Sequence, residues 1–363
     1  MPHKSVLIMA GGTGGHVYPA LAVADYLRQH AVTVVWLGTS HGIESRLVSA
    51  RGYQLLTIGI SGLRGKGIWK WFKAPFMILA AVINALFIIR RMKPDAVLGM
   101  GGFVSGPGGI AAWLSGIPLY IHEQNSILGL TNRLLAPLAD AVMEGFPGTF
   151  TASTHVHTTG NPVRADLQAL PDPEQRLRDR VTGPLHLLVI GGSQGARFFN
   201  DLLPAALTCL DANVQIEIWH QTGECNYTRA KENYAAIKTS CQVRIDPYID
   251  DMAAAYTWAD IVLCRAGALT IAELCAVGIA SILVPFPYAV DDHQTTNARF
   301  LSEQGGALLF SEAELEAQKL VAVLSDYSLA RDKLIQMAKS ARQLAKPDAT
   351  RTVGDICMGG AYA

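Results

Sequence analysis

Short apolar runs recur along the chain at the spacing of a parallel β/α architecture. Residues 5–9, 32–37, 95–98, 118–121 and 141–144 read as strands, and segments of helical spacing such as Ala20 to Gln29 lie between them. Continuous apolar strands imply burial on both faces, and their alternation with helices is the βαβ rhythm of a parallel sheet. The rhythm lapses in a Thr/His-rich stretch that reads as structure-poor, just before Asn161-Pro-Val-Arg164, with Pro171-Asp-Pro173 soon after. It restarts at 186–190 and continues near 214–218, 242–245, 260–264 and 280–284. The pattern predicts an α/β protein with a Rossmann-like domain over 1–162 and another over 163–345. A final segment, 346–363, is expected to pack back on the first domain. Ligands of such sheets bind beyond the carboxyl ends of the strands, so two units of this kind predict domains facing a cleft.

One segment departs from the amphipathic norm. Pro75 to Ile89 is apolar on nearly every face, yet shorter than the ~20 residues of a membrane span. Lys66, Lys70, Lys73, Arg90, Arg91 and Lys93 flank it, with Trp69, Trp71 and Phe72 among them. Aromatic residues beside basic ones suit an anchor on an anionic membrane surface, here spanning 66–93. A core helix or an oligomer contact would give the same apolar pattern.

Glycine loops mark three strand tips. Gly11-Gly-Thr-Gly-Gly-His16 follows the first strand, Gly99-Met-Gly-Gly-Phe-Val-Ser105 another, and Gly191-Gly-Ser-Gln-Gly195 opens the second half. Glycine permits close backbone approach, and a helix start offers unpaired N–H groups, so such turns favour anions. The dinucleotide fingerprint is broken at Val17, the second strand ends in Gly38-Thr-Ser40 with no acid for a ribose, and no Lys-Ser/Thr pair closes a P-loop. In the second half, Arg265-Ala-Gly-Ala268 leads into a helix whose first amides, at Ala268, Leu269 and Thr270, suit a diphosphate. Glu273 lies a turn further in, placed to accept from a ribose diol; alone, Thr270 also reads as a cap and Glu273 as a solvated acid. The polar run Asp291 to Asn297 follows the next strand and suits sugar hydroxyls.

Composition narrows the class. The 363 residues are 50% hydrophobic and 17% charged, which is globular. Net charge is zero but unevenly split: residues 1–165 hold 13 Lys and Arg against 6 Asp and Glu, and the remainder holds 17 against 24. A basic first half favours an anionic partner there. The six cysteines show no metal-ligand spacing and read as reduced thiols, and no secretion leader is read at the start.

Seven motifs then fall in order: G-G-T-G-G-H-V-x-P at 11–19, I-S-G-L-R-G-K-G at 60–67, G-M-G-G-F-V-S-G-P-G-G at 99–109, H-E-Q-N at 122–125, G-N-P-V-R at 160–164, G-G-S-Q-G-A-R at 191–197 and Y-I-D-D-M-A at 248–253. With R-x-G-A-L-T-x-x-E and a D-x-x-Q loop, they resemble the MurG family of GT-B glycosyltransferases over nearly the whole chain. The resemblance implies transfer of GlcNAc from UDP-GlcNAc to an undecaprenyl-linked muramyl-pentapeptide, in cell-wall synthesis, cell shape and division. It implies a donor-binding C-terminal half, an acceptor-binding N-terminal half, and a peripheral site on the cytoplasmic face of the bacterial inner membrane, beside other cell-wall synthesis proteins. It places donor contacts on Thr13, Gly14, Gly15, Asn125, Arg164, Ser193, Ile249 (against uracil), Ala268, Leu269, Thr270, Ile271, Ala272, Glu273 and Gln294. His293 stands where some relatives carry a second glutamine.

The expected chemistry is inverting attack by the acceptor C4 hydroxyl. His16, at a helix N-terminus, is the candidate base, with Glu123 and His122 behind it. Gly11, Gly12, Gly101, Gly102 and Ser105 are candidates for the acceptor pyrophosphate. The reading needs no metal, no cofactor and no nucleic acid. A GT-B enzyme with a different lipid or natural-product acceptor competes; a two-lobed binding protein would usually be exported, and no secretion leader is read. A two-domain NAD-dependent dehydrogenase is disfavoured by the broken fingerprint.

Overall fold

A computed structural model describes residues 4–60, 68–180, 182–192, 194–211 and 213–360. Lys66, the side chains of Trp69, Lys70, Trp71, Phe72 and Lys73, nearly all of the 60–67 motif, and Ser193 lie outside the described residues. The chain forms two compact units, Met1–Arg164 with Pro347–Ala363, and Ala165–Lys346.

The N-terminal unit holds strands β1 (Ser5–Met9), β2 (Thr33–Gly38), β3 (Gln54–Thr57), β4 (Ala96–Gly99), β5 (Leu119–Glu123), β6 (Ala141–Glu144) and β7 (Val156–Thr158). They form one parallel sheet in the order β3-β2-β1-β4-β5-β6-β7. Ile8 sits between Trp36 and Leu98, and Leu7 between Val35 and Val97. The central strands β1, β2 and β4 are apolar because each face is covered. Val6, Ile8, Trp36 and Leu98 pack on Val17, Leu21, Ala24 and Leu27 of helix α1 (Gly14–Gln29), and on Val353 and Ile356 of the last helix, Ala349–Cys357. Leu7, Met9, Leu37, Val97 and Ile121 face the other way. They meet Ala81, Ala85 and Ile89 of a long helix and Ala111 and Ala112 of a shorter one. Helix α2 (Ile43–Ala50) follows β2; α3 (Ile68–Met92) and α4 (Ser105–Leu114) are those two covering helices, and α5 (Leu130–Leu135) packs on α4. The last helix is fastened at both ends. The Tyr26 hydroxyl donates to Asp355 at 2.8 Å, and Thr350 Oγ1 donates to the Val163 carbonyl at 3.2 Å.

The C-terminal unit repeats the plan with β8 (Leu185–Ile190), β9 (Ile216–Gln221), β10 (Gln242–Asp246), β11 (Ile261–Cys264), β12 (Ala280–Leu283) and β13 (Leu308–Leu309), ordered β10-β9-β8-β11-β12-β13. Leu187, Val189, Leu263 and Ile282 form its core with Phe199 and Leu203 on one side of the chain and Leu320 and Leu324 further along it.

Three differences from the sequence reading have physical causes. The first helix starts at Gly14, not Ala20, because Thr13 in extended conformation turns the chain directly out of the glycine loop. The Thr/His-rich stretch carries β7, and β3 and β13 are further additions; all three are short, partly exposed edge strands without a buried apolar run. The apolar segment belongs to a helix of 25 residues, long enough by length and composition to cross a membrane. Its small residues Ala81 and Ala85 lie buried on the sheet, while Phe76 (76% exposed), Leu79, Ile83 and Phe87 (72%) face outward.

Candidate functional site

In an order 3-2-1-4 the connections leave strands 1 and 4 in opposite directions, and their carboxyl ends frame a crevice within the sheet's own unit. Each unit has such a switch point, between β1 and β4 and between β8 and β11.

At the first switch point two glycine loops press together. Gly102 adopts φ +80°, and a side-chain carbon there would lie 2.4 Å from the Gly11 carbonyl, so only glycine permits this backbone contact. Gly11 is buried, and a Cβ on it would strike the Glu44 carboxylate at 2.8 Å. Glu44, fully buried at the start of α2, accepts from the Gly12 amide (3.2 Å), the Thr39 amide (3.0 Å) and the Thr39 hydroxyl (2.7 Å). Ser105 is buried as well, its hydroxyl turned back to the Met9 carbonyl (3.0 Å) and the Gly101 carbonyl (2.8 Å). Of the residues read as a pyrophosphate cradle, Gly11, Gly101 and Ser105 are therefore packing elements, while Gly12 and Gly102 reach the surface. Thr13 precedes α1 without a side-chain capping bond; it and Gly15 are exposed and Gly14 is partly so. The amides of Gly14 and Gly15 meet no acceptor among the described residues.

His16 occupies the first turn of α1, partly exposed, with Nδ1 2.8 Å from the Gln124 side-chain oxygen. Gly101 makes room for it: a Cβ there would lie 2.8 Å from that nitrogen. Glu123 is not placed to take a substrate proton. It is 3% exposed, one oxygen accepting from the amide and Nδ2 of Asn125 (3.1 and 3.2 Å), the other from the Gly129 amide (3.1 Å) and Asn132 Nδ2 (2.9 Å). Four donors fill it, and its work is to shape the loop after β5. His122 is fully buried, bonded through Nε2 to the Gly160 carbonyl at 3.0 Å, and desolvation pushes its pKa down to about 4. Asn125 keeps its side-chain oxygen clear of Glu123, and Arg164 ends the unit, partly exposed.

The second switch point offers donors. The helix Ala268–Val277 is preceded by Gly267, which has no side chain to cap it, so the amides of Ala268, Leu269 and Thr270 point out of the helix end without acceptors among the described residues. Ile271 is buried and Ala272 partly exposed. Glu273, partly exposed, accepts from the Tyr256 hydroxyl at 3.1 Å, which fixes its carboxylate one turn inside the helix. Gln294 uses its oxygen internally, accepting from the amides of Phe286 (2.9 Å) and Ala266 (3.3 Å); only its side-chain nitrogen remains for a sugar. Asp291 and Asp292 both adopt left-handed φ (+54° and +52°), and His293 then opens the helix that carries Gln294. Ile249 is 5% exposed. Two residues inside the noted motifs act as anchors instead of facing a ligand: Arg265, whose guanidinium holds the Val284 and Pro285 carbonyls and Glu312, and Asn297, read with its polar run as suiting sugar hydroxyls but fully buried and donating to the Ala266 carbonyl at 3.2 Å. Among the described residues no group of three or more His, Cys, Asp or Glu side chains is arranged to hold a metal.

Residues 6–144 match the glycosyltransferase family 28 N-terminal domain and residues 186–353 its C-terminal domain. The UDP-N-acetylglucosamine–N-acetylmuramyl-(pentapeptide) pyrophosphoryl-undecaprenol N-acetylglucosamine transferase of Nitrosococcus oceani is 53% identical, covering 97% of this chain and 98% of its own. That of Dechloromonas aromatica is 51% identical over 98% of each. The crystal structure of Acinetobacter baumannii MurG superposes with a TM-score of 0.83 at 41% identity, covering 98% of this chain and 99% of that one. A UDP-GlcNAc 2-epimerase from Neisseria meningitidis bound to UDP-GlcNAc shares only the fold, with a TM-score of 0.66 at 12% identity. On identity and coverage together, this chain belongs to the MurG family of glycosyltransferase family 28, with the GT-B fold.

Proposed function

We infer that this protein transfers N-acetylglucosamine from UDP-GlcNAc to the C4 hydroxyl of the muramyl sugar on pyrophosphoryl-undecaprenol, with inversion, forming the disaccharide lipid of peptidoglycan synthesis. The observation that carries this reading is identity above 50% along the entire length of relatives bearing that activity in their names. In the transfer, a bond forms between the acceptor oxygen and the anomeric carbon, the bond from that carbon to the diphosphate breaks, and UDP leaves with the electron pair. His16 takes the hydroxyl proton on Nε2. The open amides at Ala268 to Thr270 stabilise the departing diphosphate, as a helix N-terminus stabilises any anion. Glu273 accepts from the ribose diol, the chain around Ile249 receives the uracil, and the Gln294 amide nitrogen reaches the sugar. Gly12, Gly102, Gly14 and Gly15 supply backbone to the acceptor pyrophosphate. Mass spectrometry of the lipid after incubation with UDP-GlcNAc and the muramyl-peptide lipid tests this; unchanged acceptor alongside consumed UDP-GlcNAc, or product on another lipid, would refute it.

The same reading places the protein peripherally on the cytoplasmic face of the inner membrane. The supporting feature is an unusual surface: Phe76, Leu79 and Phe87 on α3, Trp113 and Leu114 at the end of α4, and Leu130 and Leu134 on α5 all stand half or more exposed. Exposed Arg90, Arg91 and Lys93 lie beside them at the end of α3. Large apolar side chains rimmed by cations suit an anionic lipid surface.

A further inference from the structure

The His16 ring is one end of a buried hydrogen-bond chain. Gln124 is 1% exposed. Its side-chain nitrogen lies 3.1 Å from His122 Nδ1 and 3.2 Å from the His122 carbonyl, and its own carbonyl accepts from Asn161 Nδ2 at 3.0 Å. Its side-chain oxygen is the atom 2.8 Å from His16 Nδ1. The far end of the chain is His122 Nε2 on the Gly160 carbonyl.

The ends fix the direction of every proton. A backbone carbonyl only accepts, so His122 Nε2 carries a hydrogen. Burial keeps that ring neutral, its pKa pushed down to about 4, so His122 Nδ1 is bare and accepts. The Gln124 atom facing it must be the amide nitrogen; the flipped amide would set its oxygen against two acceptors, His122 Nδ1 and the His122 carbonyl. The amide oxygen therefore faces His16, and an amide oxygen only accepts. His16 Nδ1 must donate. A neutral His16 thus holds its hydrogen on Nδ1 and its lone pair on Nε2, the nitrogen with no partner among the described residues. A free histidine ring favours the opposite tautomer.

We propose that Gln124 is a positioning residue for the transfer: oriented by His122, it holds His16 in the Nδ1–H tautomer and so presents the Nε2 lone pair to the acceptor hydroxyl. The proposal rests on the reading of His16 as the base, and its test separates the two. Long-range proton–nitrogen NMR of the imidazoles, with His16 identified by the signals lost in His16→Asn, reads the tautomer directly. Wild type should show a protonated Nδ1 and a bare Nε2, and Gln124→Met should move the ring toward Nε2–H. The wild-type spectrum decides by itself if that variant does not fold. In kinetics, Gln124→Met should lower kcat by roughly 10- to 10²-fold, with little change in KM for UDP-GlcNAc. A hydrogen on Nε2 in wild type, or a tautomer indifferent to Gln124→Met, overturns the chain whatever the kinetics. A tautomer that reverses while kcat stays put overturns the base reading, and the positioning role with it.

Discussion

The two switch points share a strand order and open helix amides but tie down their loops in different ways. In the N-terminal unit the loops are tied down by buried carboxylates. Glu44 takes the amides of Gly12 and Thr39, Glu123 those of Asn125 and Gly129, and Glu144 those of Gly148 and Phe150. Those N–H donors are consumed within the loops, while the amides of Gly14 and Gly15 stay open beside the partly exposed His16 ring. In the C-terminal unit the ties run mainly to carbonyls: Arg265 to Val284 and Pro285, and Asn297 to Ala266. That leaves the amides at Ala268 to Thr270 as donors. Gln294 adds a neutral oxygen taking two amides. The proposed reaction draws on this difference, with the His16 ring of the first unit taking the proton and the open amides of the second facing the departing diphosphate.

Four experiments bear on this division. His16→Ala should have the largest effect, lowering kcat by roughly 10²–10⁴ while KM for UDP-GlcNAc changes little. A raised acceptor KM with near-normal kcat at saturation would make His16 a binding group and break the assignment. Next, Glu44→Ala strands two amides and a hydroxyl, and should lower unfolding free energy by about 3 kcal/mol in urea titration. Glu44→Gln, which keeps one acceptor oxygen, should lose less; equal stability of both with wild type would mean the glycine loops do not depend on the carboxylate. Glu273→Ala should weaken UDP-GlcNAc binding by roughly 1.5–3 kcal/mol, as for a hydrogen bond to a charged group. The penalty should shrink with a 2′-deoxy donor, and equal losses for both donors would detach Glu273 from the ribose. The smallest effect is at the lipid surface. Replacing Arg90 and Arg91 with Gln should weaken binding to anionic liposomes by about 1 kcal/mol per charge at most, and less at high salt. Binding that is indifferent to both changes would leave only the apolar side chains to account for it.

The sheets were legible because buried parallel strands are unbroken apolar runs, as in Val6 to Met9 and Ile261 to Cys264. The edges were not, since Gln54–Thr57 and Val156–Thr158 need only half a covering. The glycine turns were visible as turns, but their uses were not. Gly11 and Gly101 read as places for a ligand, whereas the space they leave is filled by Glu44 and His16. Ser105 read as a ligand hydroxyl and bonds to the carbonyl of Met9, far back in the sequence. Glu123 read as a base candidate behind His16. Its four donors come from three other positions, and nothing local in the sequence announces them. The His16–Gln124–His122 chain escaped for the same reason, although its last two members stand inside a motif that was noticed.

One feature of the fold concerns the ribosome rather than the reaction. The N-terminal unit is completed by the last helix, Ala349–Cys357, whose Val353 and Ile356 cover the α1 side of the sheet and whose Asp355 receives Tyr26. Every residue of Ala165–Lys346 must be translated before that helix exists. At ordinary synthesis rates this is roughly 10–40 s during which the first sheet stands short of its cover. The C-terminal unit, whose strands are contiguous in the chain, is free to fold in that interval. The half of the molecule that emerges first is the last to be finished, so a nascent chain cut near its end keeps a whole C-terminal unit and an N-terminal unit with an open, sticky core.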